Sequence, residues 1–218
     1  MDKTQLAKMI DHTLLKPEAT YEQIAKLCRE ALECGFASVC INPCYVDYAY
    51  GLLKGSNVKV CTVVGFPLGA ASSETKAFEA MQAVNKGASE IDMVMNIGYL
   101  KSGKYEYVEE DIKILVDKIS KMAIVKVIIE TCLLSDEEKV IACRLVEKAG
   151  ADYVKTSTGF NGSGATVEDV KLMHNVVSPK LKIKASGGIK TYEDAVRIVS
   201  AGASRIGASA SVKIINKK

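Results

Sequence analysis

What the chain lacks narrows the field first. Its N-terminus, MDKTQLAKMIDH, is charged throughout and has no apolar signal core. No stretch approaches the ~18 uninterrupted apolar residues of a membrane-spanning helix, so a membrane partner is not expected. There is no run of like charges and no Lys/Arg-rich tract, and the net charge is only +3. That balance argues against nucleic acid as a ligand and leaves an anionic small molecule open. The seven cysteines are odd in number and contain no CxxC pair. Reduced thiols in a cytoplasmic protein are the simplest expectation. Cys40 and Cys44 stand four apart, but only two histidines accompany them in the whole chain, so no zinc site is expected. No GxGxxG follows the first strand-like segment, which disfavours an open dinucleotide-binding sheet.

What is present is a repeat. "CGFASVCIN" from Cys34, "KGASEIDMVMN" from Lys86, "AGADYVKTS" from Ala149 and "AGASRIGAS" from Ala201 each place a glycine after an apolar-periodic helix and then enter a short strand. Four further strand candidates lie between and before them: "IDHTLL" from Ile10, "VKVCTVVGF" from Val58, "VKVIIET" from Val125 and "LKIKASGG" from Leu181. The spacing predicts helices over Tyr21–Glu33, Ser73–Lys86, Tyr105–Lys121, Asp136–Lys148, Thr166–Asn175 and Thr191–Ser200. Spread over 218 residues, eight strands leave about 27 residues per strand–helix unit. One α/β domain, a (β/α)8 TIM barrel over residues 1–218, is the expected architecture.

The repeat also sets the register. Five residues beyond the four glycines stand Cys40, Asp92, Lys155 and Gly207, on alternate strands and therefore in one interior layer. Their neighbours Val39, Ile41, Ile91, Met93, Val154, Thr156, Ile206 and Ala208 are mostly apolar and should face the helices. The odd strands are aligned on Lys59, Lys126 and Lys182, which points Lys184 inward beside Lys155. With Glu130, those three strand-start lysines are expected to form an interior charge network. On the first strand Asp11 and Thr13 point in, so His12 faces the helices and packs there; His174 is expected at the surface.

A strand lysine alone is commonly a snorkelling side chain, and an Asp–Lys pair alone is commonly structural. Here Lys155, Lys184 and Asp92 converge. Burial and a neighbouring amine both disfavour a protonated amine. A lysine made neutral near pH 7 can attack a carbonyl and form a Schiff base. Gly159, Gly187, Gly188, Gly207 and Ser209 follow strands 6, 7 and 8, where exposed backbone N–H groups make an anion nest for phosphate. Cys40 has no evident base and is expected to line the pocket. Tyr45, Tyr48 and Tyr50 read as core and rim packing. These residues suggest a Schiff-base enzyme acting on a phosphorylated sugar. The alternatives are a lysine aldolase for another sugar phosphate and a non-catalytic phosphate-binding barrel.

At "YVKTSTGF", "EIDMVMNIG", "VKVIIET" and "IKASGGI" the chain resembles the deoxyribose-phosphate aldolases, from "IDHTLLKP" through "VCTVVGFPLGA" to "RIGAS". The resemblance implies a class I aldolase without metal or organic cofactor. Such an enzyme reversibly cleaves 2-deoxy-D-ribose 5-phosphate to D-glyceraldehyde 3-phosphate and acetaldehyde, in deoxynucleoside breakdown. It implies Lys155 as the Schiff-base lysine, Lys184 as the second lysine and Asp92 as the relay carboxylate. It places phosphate contacts at Gly159, Gly187, Gly188 and Ser209, and pocket lining at Cys40, Asp11 and Thr13. A homodimer or higher homo-oligomer is compatible with it. Two departures stand out. Ala210 replaces a second serine, and the chain ends KIINKK where some members carry a tyrosine tail, so a water held by Asp92 and Lys184 would have to serve instead.

Overall fold

The computed structural model describes residues 1–216. Among them, eight parallel strands close into a barrel in sequence order: β1 Ile10–Leu14, β2 Ser38–Ile41, β3 Lys59–Val64, β4 Glu90–Val94, β5 Ile124–Ile128, β6 Tyr153–Lys155, β7 Lys182–Ser186 and β8 Arg205–Ala208. Helices α1 Lys3–Ala7, α2 Tyr21–Cys34, α3 Val46–Leu53, α4 Ser73–Asn85, α5 Ile97–Lys101, α6 Tyr105–Ile119, α7 Asp136–Lys148, α8 Val167–Val176, α9 Tyr192–Ser200 and α10 Ser211–Asn216 accompany them. This is the (β/α)8 TIM-barrel fold.

Local chemistry explains the boundaries. Reciprocal side-chain and backbone bonds start α2 at Thr20–Gln23, α7 at Ser135–Glu138 and α9 at Thr191–Asp194. The repeat glycines Gly35, Gly87, Gly150 and Gly202 all have positive φ, so each turns the chain out of a helix and into the next even strand. The six expected helices lie within two residues of their observed ends. The aromatic stretch after β2 folds as a 3-10 turn over Pro43–Tyr45 followed by α3. There Tyr45 and Tyr48 pack edge-on against Tyr21, and Tyr50 lies against Gly87.

The core divides as the alternation of strand side chains requires. Val39, Ile41, Ile91, Met93, Val154, Ile206 and Ala208 belong to the large apolar cluster under the helices, whereas Cys40, Cys61 and Val63 pack separately. His12 faces outward too: its Nε2 meets Glu30 on α2 at 2.8 Å and its ring tilts against Phe36. His174 is exposed on α8.

One alignment needs correcting. Lys59 and Lys182 are exposed at the first residues of β3 and β7, but β5 begins at Ile124, so Lys126 sits two residues further in and is fully buried. It is the equivalent of Cys61 and Lys184. A two-residue slip preserves which face a side chain takes and changes its height by one layer. Lys126 therefore belongs to the interior network, and Lys59 and Lys182 do not. Glu130 lies beyond the end of β5 and bonds to the loop after β6, outside that network.

Candidate active site

The strand register stacks the barrel interior in layers. Each inward odd-strand residue is paired to a lower residue on the next strand and an upper residue on the previous one. Asp11 lies between Ser38 and Gly207, Cys61 between Glu90 and Cys40, Lys126 between Tyr153 and Asp92, and Lys184 between Arg205 and Lys155. Cys40, Asp92, Lys155 and Gly207 thus form one layer, above the layer of Asp11, Cys61, Lys126 and Lys184.

These two layers, with Glu90 and Arg205 beneath, hold a compact ionic cluster. Lys126 Nζ lies 2.6 Å from Glu90, 2.9 Å from Asp92 and 3.9 Å from Asp11. Lys184 Nζ lies 2.5 Å from Asp11 and 2.6 Å from Asp92. Arg205 reaches Asp11 at 2.6 Å and Glu90 at 3.1 Å. Lys155 has a single carboxylate partner, Asp92 Oδ2 at 2.7 Å, which it shares with Lys184. Burial opposes the charge on Lys184, but Asp11 and Asp92 outweigh it and hold the ammonium well above the ordinary lysine range. Lys126 is held high for the same reason, against burial, by Asp92, Glu90 and Asp11. Burial also opposes the Asp92 carboxylate, yet the Lys126 and Lys184 ammonium groups and the hydrogen bond from Lys155 keep it well below the carboxylate range. The acidic atoms of Asp11, Cys61 and Glu90 come close enough to one another to ligate a metal ion, but the Lys126 ammonium is already seated among them.

The count of charges singles out one side chain. Asp11, Glu90 and Asp92 supply three carboxylates, and Lys126, Lys184 and Arg205 are each paired with at least two of them. With those three cations the interior is neutral. A fourth charge on Lys155 would be an excess cation in a buried site, which is costly. Lys155 is the basic group left over from that count, donating to Asp92 Oδ2 at 2.7 Å.

Lys155 is also the cluster member that lines the cavity at the C-terminal mouth of the barrel. That cavity, about 340 Å³, is bounded by Thr13, Gly159, Gly187, Gly188, Gly207 and Ser209. Gly159, Gly187 and Gly188 have φ of 85°, 84° and 77°, the left-handed backbone found in anion-binding nests. Gly187 is hemmed in as well, because a Cβ there would come within 2.8 Å of Gly164 Cα. A side chain on Gly207 would come within 3.2 Å of Lys184 Cε, so glycine keeps that amine's place open.

Two expected lining residues are elsewhere. Asp11 is fully buried one layer down, paired with Lys184 and Arg205, and Cys40 is covered by Leu15 and Phe66. Ala210 lines the adjoining groove between α2 and α10. The positions of Lys217 and Lys218, at the end of the tail, lie outside the described residues.

Sequence reasoning missed Glu90 and Arg205, which close the charge balance from the layer below. It also missed Lys16, Thr158, Phe160 and Lys190 at the cavity. Lys16 and Lys190 were legible only as lysines in loops after strands 1 and 7, a weak signal in a chain with so many. They put two cations beside the glycine-lined end.

Comparison with known proteins adds independent findings. The family model described as DeoC/LacD family aldolase matches residues 1–216. A deoxyribose-phosphate aldolase of Clostridium kluyveri is 78% identical over 218 residues, covering 100% of both chains. One from Clostridium perfringens is 64% identical over 218 residues, covering 100% of this chain and 97% of its own. The solved structure of the deoxyribose phosphate aldolase of Aeropyrum pernix, described as tetrameric, superposes with a TM-score of 0.91 at 39% identity, over 98% of this chain and 91% of that one.

Proposed function

The chain belongs to the DeoC/LacD family of aldolases, and on that footing we infer that it cleaves 2-deoxy-D-ribose 5-phosphate to D-glyceraldehyde 3-phosphate and acetaldehyde through a lysine Schiff base. The observation that carries the assignment of the lysine is the charge balance: of the four interior basic side chains, Lys155 has one shared carboxylate partner and also faces the cavity.

The proposed course follows from where the groups sit. Neutral Lys155 attacks the C1 aldehyde of the open-chain sugar, and loss of water leaves an iminium. The C3 hydroxyl proton passes to Asp92 through a water shared with Lys184, since Asp92 itself is fully covered. The C2–C3 bond breaks, its electron pair flows into the iminium, and glyceraldehyde 3-phosphate leaves. The resulting enamine is protonated at carbon, and hydrolysis releases acetaldehyde and the free amine. The glycine nest, with Lys16 and Lys190, holds the phosphate and orients C2–C3 over Lys155. A self-associated state belongs to the same proposal, supported by the tetrameric relative from Aeropyrum pernix.

Trapping tests the nucleophile. Substrate plus borohydride is expected to leave a reduced adduct on Lys155, located by peptide mass. An unmodified Lys155, or consumption of deoxyribose 5-phosphate without acetaldehyde, overturns the assignment.

Lys184→Leu tests the neighbour. A fixed cation beside an amine disfavours its protonated form, so removing that cation favours protonation of Lys155. The acid limb of kcat/KM should therefore move to higher pH. A limb that stays in place would show that Lys184 is not what keeps Lys155 uncharged.

A further inference from the structure

Glu130 is a fully buried carboxylate that the proposed reaction does not use. It follows β5 directly with φ 54 and ψ 67, the left-handed conformation that residues other than glycine seldom take. Strain of that kind persists where the surroundings over-determine the residue. Here the surroundings are the loop after β6. Glu130 Oε1 accepts from the Thr158 backbone N–H at 3.0 Å. Its Oε2 accepts from Thr158 Oγ1 and from Asn161 Nδ2, the latter at 3.0 Å. Thr158 Oγ1 in turn accepts from the Phe160 N–H at 3.1 Å. The flanking main chain is tied to β6 as well: Ile129 N–H donates to the Lys155 carbonyl and Thr131 N–H to that of Thr156.

All the groups that reach this carboxylate are donors, and among the described residues no cation pairs with it. A carboxylate is acceptor-only, so it satisfies all of them at once. An amide would turn an N–H against at least one. The segment thus held, Thr158, Gly159 and Phe160, is one wall of the cavity and includes a glycine of the nest.

We propose that Glu130 is a positioning residue: it sets the affinity for the phosphate end of the substrate by holding residues 158–161, and it leaves the chemistry at Lys155 to the ionic cluster. This rests on the reading that the glycine-lined end takes the phosphate. The competing role is a brace for Lys155 itself, through the strand bonds at Ile129 and Thr131.

Substrate choice separates the two. In the intact enzyme, Glu130→Gln and Asn161→Ala are assayed with deoxyribose 5-phosphate and with unphosphorylated 2-deoxyribose, alongside borohydride trapping with acetaldehyde. For Glu130→Gln, KM for the phosphorylated sugar is expected to rise about tenfold or more with kcat changed less than about threefold, and the kcat/KM preference for phosphate to fall in step. Asn161→Ala, which removes one of the bonds, should lower that preference about threefold. An undiminished preference, with both sugars or the acetaldehyde trap losing equally, overturns the proposal. If Glu130→Gln does not fold, the Asn161→Ala preference decides. A wild-type enzyme indifferent to the phosphate would overturn the phosphate reading itself, a result separable from the first.

Discussion

Lys155→Leu is expected to lose turnover by about 10⁴–10⁶-fold, the scale on which an enzyme fails when its covalent nucleophile is removed. The protein should nevertheless fold. Lys155 contributes one hydrogen bond to the cluster, and Asp92 retains Lys126, Lys184 and the Cys61 thiol without it. If Lys155 is uncharged, its loss leaves the interior charge balance unchanged. The destabilisation should then be that of one hydrogen bond, about 0.5–1.5 kcal/mol, offset in part by the apolar replacement. Single-turnover kinetics and denaturant unfolding of the variant check both halves. A variant that unfolds would mean Lys155 carries a structural charge. Turnover within tenfold of wild type would mean that another group forms the covalent bond.

Asp92→Asn should fail in the opposite way, in stability as well as in rate. Asp92 accepts from three lysines and one thiol, and no other carboxylate in the cluster reaches Lys155. The amide leaves three cations facing two carboxylates in a buried site, a loss of about 3–5 kcal/mol at pH 7. Turnover should drop by about 10²–10⁴-fold, the contribution of a positioned proton-transfer group. The stability loss has a pH signature. Folding depresses the Asp92 carboxyl well below its usual range, despite burial, because of the Lys126 and Lys184 charges and the hydrogen bond from Lys155. A depressed carboxyl contributes its full stability above the unfolded value of about 3.9, and that contribution fades as pH falls further. The gap between wild type and Asp92→Asn should therefore be widest at neutral pH and narrow below about pH 4. Urea midpoints at several pH values measure it. A gap independent of pH would mean that the charge on Asp92 contributes nothing.

The two variants differ because interior charge is decided by sums, and sums were only partly legible in the chain. A count of five from each repeat glycine placed Cys40, Asp92, Lys155 and Gly207 in one layer, and the strand pairing has them there. The glycines that line the cavity were legible too, because loops after strands 6 to 8 open at the barrel mouth. The charge balance was not. Sequence reasoning sets one carboxylate against two amines, whereas the cluster holds three carboxylates and four basic side chains. Nothing in the chain's pattern draws Asp11 away from the pocket wall into this cluster, or marks Glu90 and Arg205 as its partners.

The sequence by itself determined the repeat, the helix ends, the inward or outward face of each strand residue and the lysine at the mouth. Those follow from local rules: capping, glycine turns and a side-chain period of two that survives a misplaced strand start. The tertiary structure alone decided the depth of each inward residue and its partners. Lys126 lies one layer from where its position in "VKVIIET" suggested, because strand stagger around the closed barrel sets height. Cys40 is covered because Phe66 and Leu15 fold over it. Glu130 grips a loop 28 residues away, a contact that exists only once β5 and β6 lie side by side.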